Sequence, residues 1–246
     1  HRPVKVNEPY QMLGEIEEDL LDALGVDVVG LPAPATIFGF PNEGWKGFRT
    51  PWGQDVLVPR DFNTTTDEKG ALLIYPAGDT TAPPSGRMPS NGFFFDTIIR
   101  QGPLDESRLD PADNLEEFQP LTDRDLDYFR AVAKECTGGG RAVVGNMGGT
   151  AFGDIALVPA PSLPHPRGIR DIQEWYISTV ARPDYVEEVF SAQCEIALAN
   201  LGKFYEAIGE SIDALFICGT DFGTQTSSFC STDTYDQLYA PYYRQI

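Results

Sequence analysis

The feature that most constrains this chain is an apolar run near its C-terminal end, Ala214-Leu-Phe-Ile-Cys218, that passes into Gly219-Thr-Asp221-Phe-Gly223-Thr-Gln225. An apolar run without alternation reads as a strand buried on both faces, here over 214–218. It stops at a glycine and a carboxylate, which places Asp221 at the strand's C-terminal tip. Ser231, a good N-cap, then opens a helix with Tyr235, Leu238 and Tyr242 at helical spacing. In an α/β barrel, the chemistry is built at that end of the sheet.

The same α/β rhythm recurs along the chain. Residues 10–24 have helical period and meet a natural stop in Gly25, with a short buried strand at 26–31 directly after. A helix fits 123–136, capped by Thr122 and closed by three glycines, followed by a strand over 141–146 that ends in Met147-Gly-Gly-Thr150. Helices are predicted over 168–181 and, opened by Pro183, over 184–208. The second has Val186, Val189, Phe190, Cys194, Ala197, Leu201, Phe204 and Ile208 on one face. Residues 32–120 break the rhythm and read as a β-rich insertion or lid, with a hairpin across 48–59 and strands at 71–75 and 93–96. The expectation is one α/β domain over 1–246, a (β/α)8 barrel incomplete within this chain, since a closed barrel takes about 250 residues before insertions.

Charge narrows the function. A net charge of −19 argues against nucleic acid, because phosphate binding needs clustered Lys and Arg. No apolar stretch approaches the roughly 18 residues that span a bilayer, and the N-terminus lacks the apolar core of a signal peptide. The four cysteines are widely spaced, with no disulfide framework, which suggests a reduced, cytoplasmic setting. Two histidines, His1 and His165, are too few for a Ser-His-Asp hydrolase or a multi-histidine metal site within this segment.

Several residues stand out as candidates, each with a plainer alternative. Asp221 orients a substrate or works as an acid or base; otherwise it caps its loop. Gln225 hydrogen-bonds a ligand or serves the loop. Asp27 lies in a strand pattern, where an unpaired carboxylate is costly, so it faces a site or pairs with an arginine. Asn146, followed by Gly148 and Gly149, cradles an anion or makes a tight turn. Arg87, Arg100 and Arg49 in the insertion meet an anionic substrate or make surface ion pairs. Trp45, Trp52 and Phe93 to Phe95 line a pocket or pack the insertion.

Taken in order, several blocks resemble the uroporphyrinogen decarboxylase superfamily. They are Leu24-Gly-Val-Asp27-Val-Val; Val144-Gly-Asn146-Met-Gly-Gly with the helix after it and Ala181-Arg-Pro183-Asp; and Cys218-Gly-Thr-Asp221-Phe-Gly223-Thr-Gln225 leading to Ser231 and Tyr239-Ala-Pro241-Tyr-Tyr243. The last block is most similar to the branch of cobalamin-dependent methyltransferases. The stretches around Tyr75 to Asp79, Pro84 to Pro89 and Phe94 to Asp96 resemble that branch's insertion in one subgroup.

The resemblance implies a TIM barrel with its site at the strands' C-terminal ends. It implies a methyl group moved between a small methylated substrate or thiol and a corrinoid on a partner protein. Asp27 and Asp221 would line the pocket, with Asn146, Gln225, Arg87 and Asp96 binding substrate. It also implies zinc, held by an H-x-C pair and a later cysteine expected downstream of Ile246; no metal ligands are assigned within the chain. The chain looks like the first two-thirds of such a protein, and a homo-oligomer is compatible with it. The alternatives are uroporphyrinogen decarboxylation, whose arginine-rich clamp for the tetrapyrrole carboxylates has no counterpart here, and a non-catalytic small-molecule-binding barrel.

Overall fold

A computed structural model describes residues 2–246; His1 lies outside them. The chain is mixed α/β and divides into two compact units, residues 1–99 with 161–165 and residues 100–160 with 166–246. Among the described residues, no closed barrel forms, and no helix is long and apolar enough to cross a membrane.

The first unit holds strands β1 (Val4–Glu8) and β2 (Leu13–Gly14), helix α1 (Glu18–Leu24) and strands β3 (Val28–Gly30), β4 (Lys46–Arg49), β5 (Asp55–Val58), β6 (Thr64–Thr66), β7 (Leu72–Ile74), β8 (Gly86–Met88) and β9 (Asp96–Thr97). One sheet runs β2-β1-β5-β4, with β1 and β5 parallel; the other is the antiparallel meander β6-β7-β8-β9. Their apolar residues share one core, including Val6, Phe38, Phe40, Val58, Phe62, Ile74 and Phe95. Phe38 and Phe62 each meet Phe95 edge to face at about 6 Å, the geometry their ring quadrupoles favour.

The predicted hairpin across 48–59 forms as β4 and β5, turning through Gly53 at φ 87°. The helix expected over 10–24 does not. Its first part is the β1–β2 return, closed by the Glu8 carboxylate accepting from the Tyr10 and Gln11 amides, and only Glu18–Leu24 is helical. Met12 takes a positive φ of 57°, a conformation no periodicity signals in a non-glycine residue. Gly25 ends α1 in the left-handed region, as expected. Phe93 and Phe94 stand exposed outside any strand, while Phe95 is fully buried.

Gly78 is the tightest point in this unit. Its φ is 75°, and a Cβ there would run into the Asp61 carbonyl oxygen. Gly78→Ala is therefore expected to cost at least about 2 kcal/mol, from left-handed strain plus the forced shift, read as a lowered urea midpoint.

The second unit carries helix α2 (Asp123–Thr137), strand β10 (Ala142–Gly145), helices α3 (Ile172–Ala181) and α4 (Pro183–Ile208), strand β11 (Ala214–Leu215) and helices α5 (Thr232–Leu238) and α6 (Ala240–Tyr243). Thr122 and Asp125 form the full capping box of α2. The long α4 buries the expected face, with Gln193 added to it and Leu201 half-buried. Phe129 of α2 meets Phe204 of α4 at 4.9 Å. Phe152, Trp175, Val186, Val189, Phe190, Leu238, Tyr239 and Tyr242 belong to the main apolar core.

Two predicted elements differ here. Residues 168–171 are not helical: Gly168 has φ 82°, Asn114 clasps the Ile169 backbone at both its N–H and C=O, and Gln101 accepts from the Arg170 and Asp171 amides. Asp171 instead caps α3, accepting from Gln173 and Glu174. The 214–218 strand reduces to Ala214–Leu215 at a sheet edge, neither residue is fully buried, and Phe216 is 52% exposed. Pairing with β10 stops at Gly145↔Leu215, so the apolar run continues past the ladder that would have kept it a strand.

Candidate functional site

β10 and β11 run parallel, so their following loops leave the same edge of the sheet. Beyond β10, the Asn146 side chain accepts from the Gly148 amide at 3.1 Å, and Gly148 and Gly149 both take positive φ. Thr150 then donates its hydroxyl to the Ile217 carbonyl, stitching this loop to the one beyond β11. The chain continues through Phe152 and Gly153 to Asp154.

Asp154 is the residue these turns position. Its side chain accepts from the Ala156 amide at 2.8 Å, and its carbonyl accepts from Leu157 and Val158. Burial, helped by the charge of Asp221, pushes its carboxyl above the ordinary carboxylate range. The two loops thus bring two carboxylates into one electrostatic field.

The second loop is anchored by Tyr243 of α6. The Tyr243 hydroxyl accepts from the Phe152 amide at 3.3 Å, meets the Thr220 hydroxyl at 3.0 Å and accepts from the Cys218 thiol at 3.0 Å. Thr220 donates to the Phe152 carbonyl, and its amide donates to the Cys218 sulfur. Burial and the Cys218 contact push the Tyr243 phenol up. Phe222 is held edge-on by Tyr235, Tyr239 and Tyr243. Tyr176 of α3 donates to the Asp221 carbonyl at 3.3 Å and stacks on Phe229 at 4.6 Å. Ser231 caps α5 through the Thr234 amide, as expected.

The candidates from the sequence fall as follows. Asp221, exposed, and Gln225, at the exposed tip of a turn closed by the Gly223↔Ser228 bridge, share one loop. Asn146 lies on the neighbouring loop, with its side chain engaged by the turn. Asp27, Arg87 and Asp96 belong to the first unit. Asp27 is exposed immediately before β3, so the burial cost expected of it does not arise. Arg87 pairs with Asp67 at 3.1 Å and stands opposite the exposed Asp96 in the β8–β9 register. Arg49 pairs with Asp55. Asp154, Tyr176, Thr220 and Tyr243 carry geometry that sequence reasoning did not assign. Only the Pro241-Tyr-Tyr243 block hinted at one of them.

Among the described residues, no group of three or more His, Cys, Asp or Glu side chains is placed to hold a metal ion. None of the four cysteines is in a disulfide.

The tyrosines supply a pH test. Tyr176 is pushed up to about 12 by burial, with the charge of Asp221 adding, and Tyr185 to about 12 by burial with Asp113. The native state holds these protons to higher pH than the unfolded chain. The stability they contribute is therefore complete below the ordinary value of 10 and is lost as pH rises through about 12. The tyrosinate absorbance of Tyr176 and Tyr185 should appear late, with unfolding in the same window; their ionisation near 10 without unfolding would contradict this packing.

Compared with known proteins, the chain matches no family model, no curated protein and no solved structure.

Proposed function

We propose that this chain is the site-bearing part of an α/β-barrel enzyme related to the uroporphyrinogen decarboxylase superfamily, one that moves a methyl group from a small methylated substrate to a corrinoid. The observation that carries the proposal is the half-buried Asp154 on the loop beyond β10, its carboxyl raised by burial and further by the charge of Asp221 on the loop beyond β11. A methyl group bound to oxygen, nitrogen or sulfur leaves more easily when that atom is protonated as the bond breaks. A carboxyl that holds its proton more tightly than an ordinary aspartate is a suitable acid for this.

The corrinoid, carried by a partner protein, supplies the nucleophile that takes the methyl group. This chain's residues hold the substrate and the proton. Asp154 is the proton donor, its proton affinity raised by burial and, to a smaller degree, by the charge of Asp221. Tyr176 fixes the Asp221 backbone, and Tyr243 locks the two loops together. A cytoplasmic location, with the four thiols reduced, belongs to the same proposal.

The test is conversion of reduced cobalamin to methylcobalamin by the purified protein, followed by absorbance across a panel of methyl ethers, methylamines and methyl thioethers. Turnover with one class supports methyl transfer. Carbon dioxide release from uroporphyrinogen, with no methylcobalamin formed, would replace it with decarboxylation.

A further inference from the structure

In the first unit, Trp52 and Phe93 stand side by side at the surface, with ring centroids 5.3 Å apart and planes inclined by 51°. They are 36% and 61% exposed, and Phe94, next in the chain, is 53% exposed. Single exposed apolar residues are ordinary, but rings gathered at one spot mark an interaction site. Both rings sit on rigid turns. The buried Thr50 accepts at its hydroxyl from the Gln54 amide at 2.9 Å and at its carbonyl from the Gly53 amide at 2.9 Å, which fixes the hairpin tip that carries Trp52. Phe93 follows a turn closed by the Gly92 amide on the Pro89 carbonyl. It precedes Phe95, whose ring is fully buried and whose amide donates to the Tyr10 carbonyl. The rings are therefore in place before a ligand arrives, which lowers the ordering cost of binding.

The groups around the rings narrow what they can hold. The Trp52 indole N–H is spent on the Gln54 side-chain oxygen at 3.2 Å. Trp52 thus offers a partner its ring and not its donor, which disfavours a peptide recognised through its carbonyls. Arg49 lies against the Gly53 backbone and pairs with Asp55 at 2.8 Å, both side chains being largely exposed. A cation already neutralised, in a chain of net charge −19, gives an anion little to gain. What remains is an aromatic platform bordered by three exposed planar groups, the Gln54 amide, the Arg49 guanidinium and the Asp55 carboxylate. A pyranose ring with equatorial substituents fits that chemistry. Its faces are C–H groups, drawn to the negative faces of aromatic rings, and its rim hydroxyls both donate and accept.

We infer that Trp52 and Phe93 form a binding platform for a neutral carbohydrate built of such pyranose rings, as in a β-linked glucose chain. The C–H face of the sugar lies on the rings, and its hydroxyls meet Gln54, Arg49 and Asp55. The platform is open, so it needs no enclosed volume and takes a ring within a chain as readily as one at its end. This inference is independent of the methyl-transfer reading and stands or falls without it.

The test is a titration of the intact chain with cellohexaose, followed by saturation-transfer proton NMR. Saturation should reach the ring C–H protons of the sugar. Trp52→Ala should weaken binding at least about tenfold, the loss expected of an aromatic anchor. Phe93→Ala should weaken it less, and Trp52→Phe, which keeps a ring, should retain part of it. Tyr205→Ala removes an exposed ring on α4 and should change nothing. An unchanged urea midpoint shows that each variant is folded; if Trp52→Ala lowers it, Phe93→Ala and Trp52→Phe carry the comparison. No saturation of cellohexaose, or saturation that is the same in the native chain and in the folded ring variants, would overturn the inference. So would binding of a decaproline peptide at these rings with none of cellohexaose.

Discussion

Replacing Arg170 with methionine is expected to destabilise the second unit by about 3–5 kcal/mol, the loss seen when one partner of a buried ion pair is removed. Arg170 is 1% exposed. Its guanidinium meets both Glu117 oxygens, at 2.6 and 3.0 Å, and also serves the Arg167 and Asp113 carbonyls at 2.6 Å each. The methionine would fill much of the same volume but leave a largely buried carboxylate and several carbonyls without donors. The double variant Arg170→Met with Glu117→Leu should recover part of the loss, since it removes the stranded charge. It should not recover all of it, because the carbonyls remain unpaired. Urea unfolding at unchanged slope measures both. A single variant within about 1 kcal/mol of the native chain would show that the pair does not hold this unit together.

The second large effect is on turnover. Asp154→Asn keeps the shape of the side chain and its acceptor toward the Ala156 amide but cannot deliver a proton. With the substrate found by the methyl-transfer panel, kcat should fall by about 10²–10⁴, with KM changed far less. The rate of the native enzyme should fall as pH rises through the Asp154 midpoint, because the working form is the protonated one. Stability has the same sign. The folded carboxyl is raised above its unfolded value of 3.8, so the native state holds the extra proton, and this contribution is complete below 3.8 and lost as pH climbs through the folded midpoint. Asp154→Asn should therefore flatten the pH dependence of stability while leaving the protein folded. Loss of activity is then separated from loss of structure.

How far the sequence foretold these features depends on whether the determining interactions are local. The α2 and α5 starts were legible because Thr122 and Ser231 are caps, and a cap acts within a few residues. Pro183 marked the first turn of α4, and its apolar period marked the buried face. Where a distant partner decides, the pattern misled. Residues 168–171 carry helical spacing, yet Asn114 and Gln101 hold their backbone out of the helix. The 10–24 segment also carries helical spacing, yet its first half returns along β1. The loops ending in Asn146 and Asp221 were legible because each follows an apolar run and opens on glycine. Asp154 was not, since nothing near it in the chain distinguishes it from the other acidic residues. Its character comes from burial and from a second carboxylate brought over from the loop beyond β11.

The central claim, that the loop beyond β10 holds Asp154 with its carboxyl raised by burial and by the charge of Asp221, is tested most directly by carbon-13 titration of the Asp154 carboxyl in the native chain and in Asp221→Asn. The account predicts a midpoint above 3.8 in the native chain and a lower one once Asp221 is neutral. A midpoint at or below 3.8, or one that ignores Asp221→Asn, would contradict it.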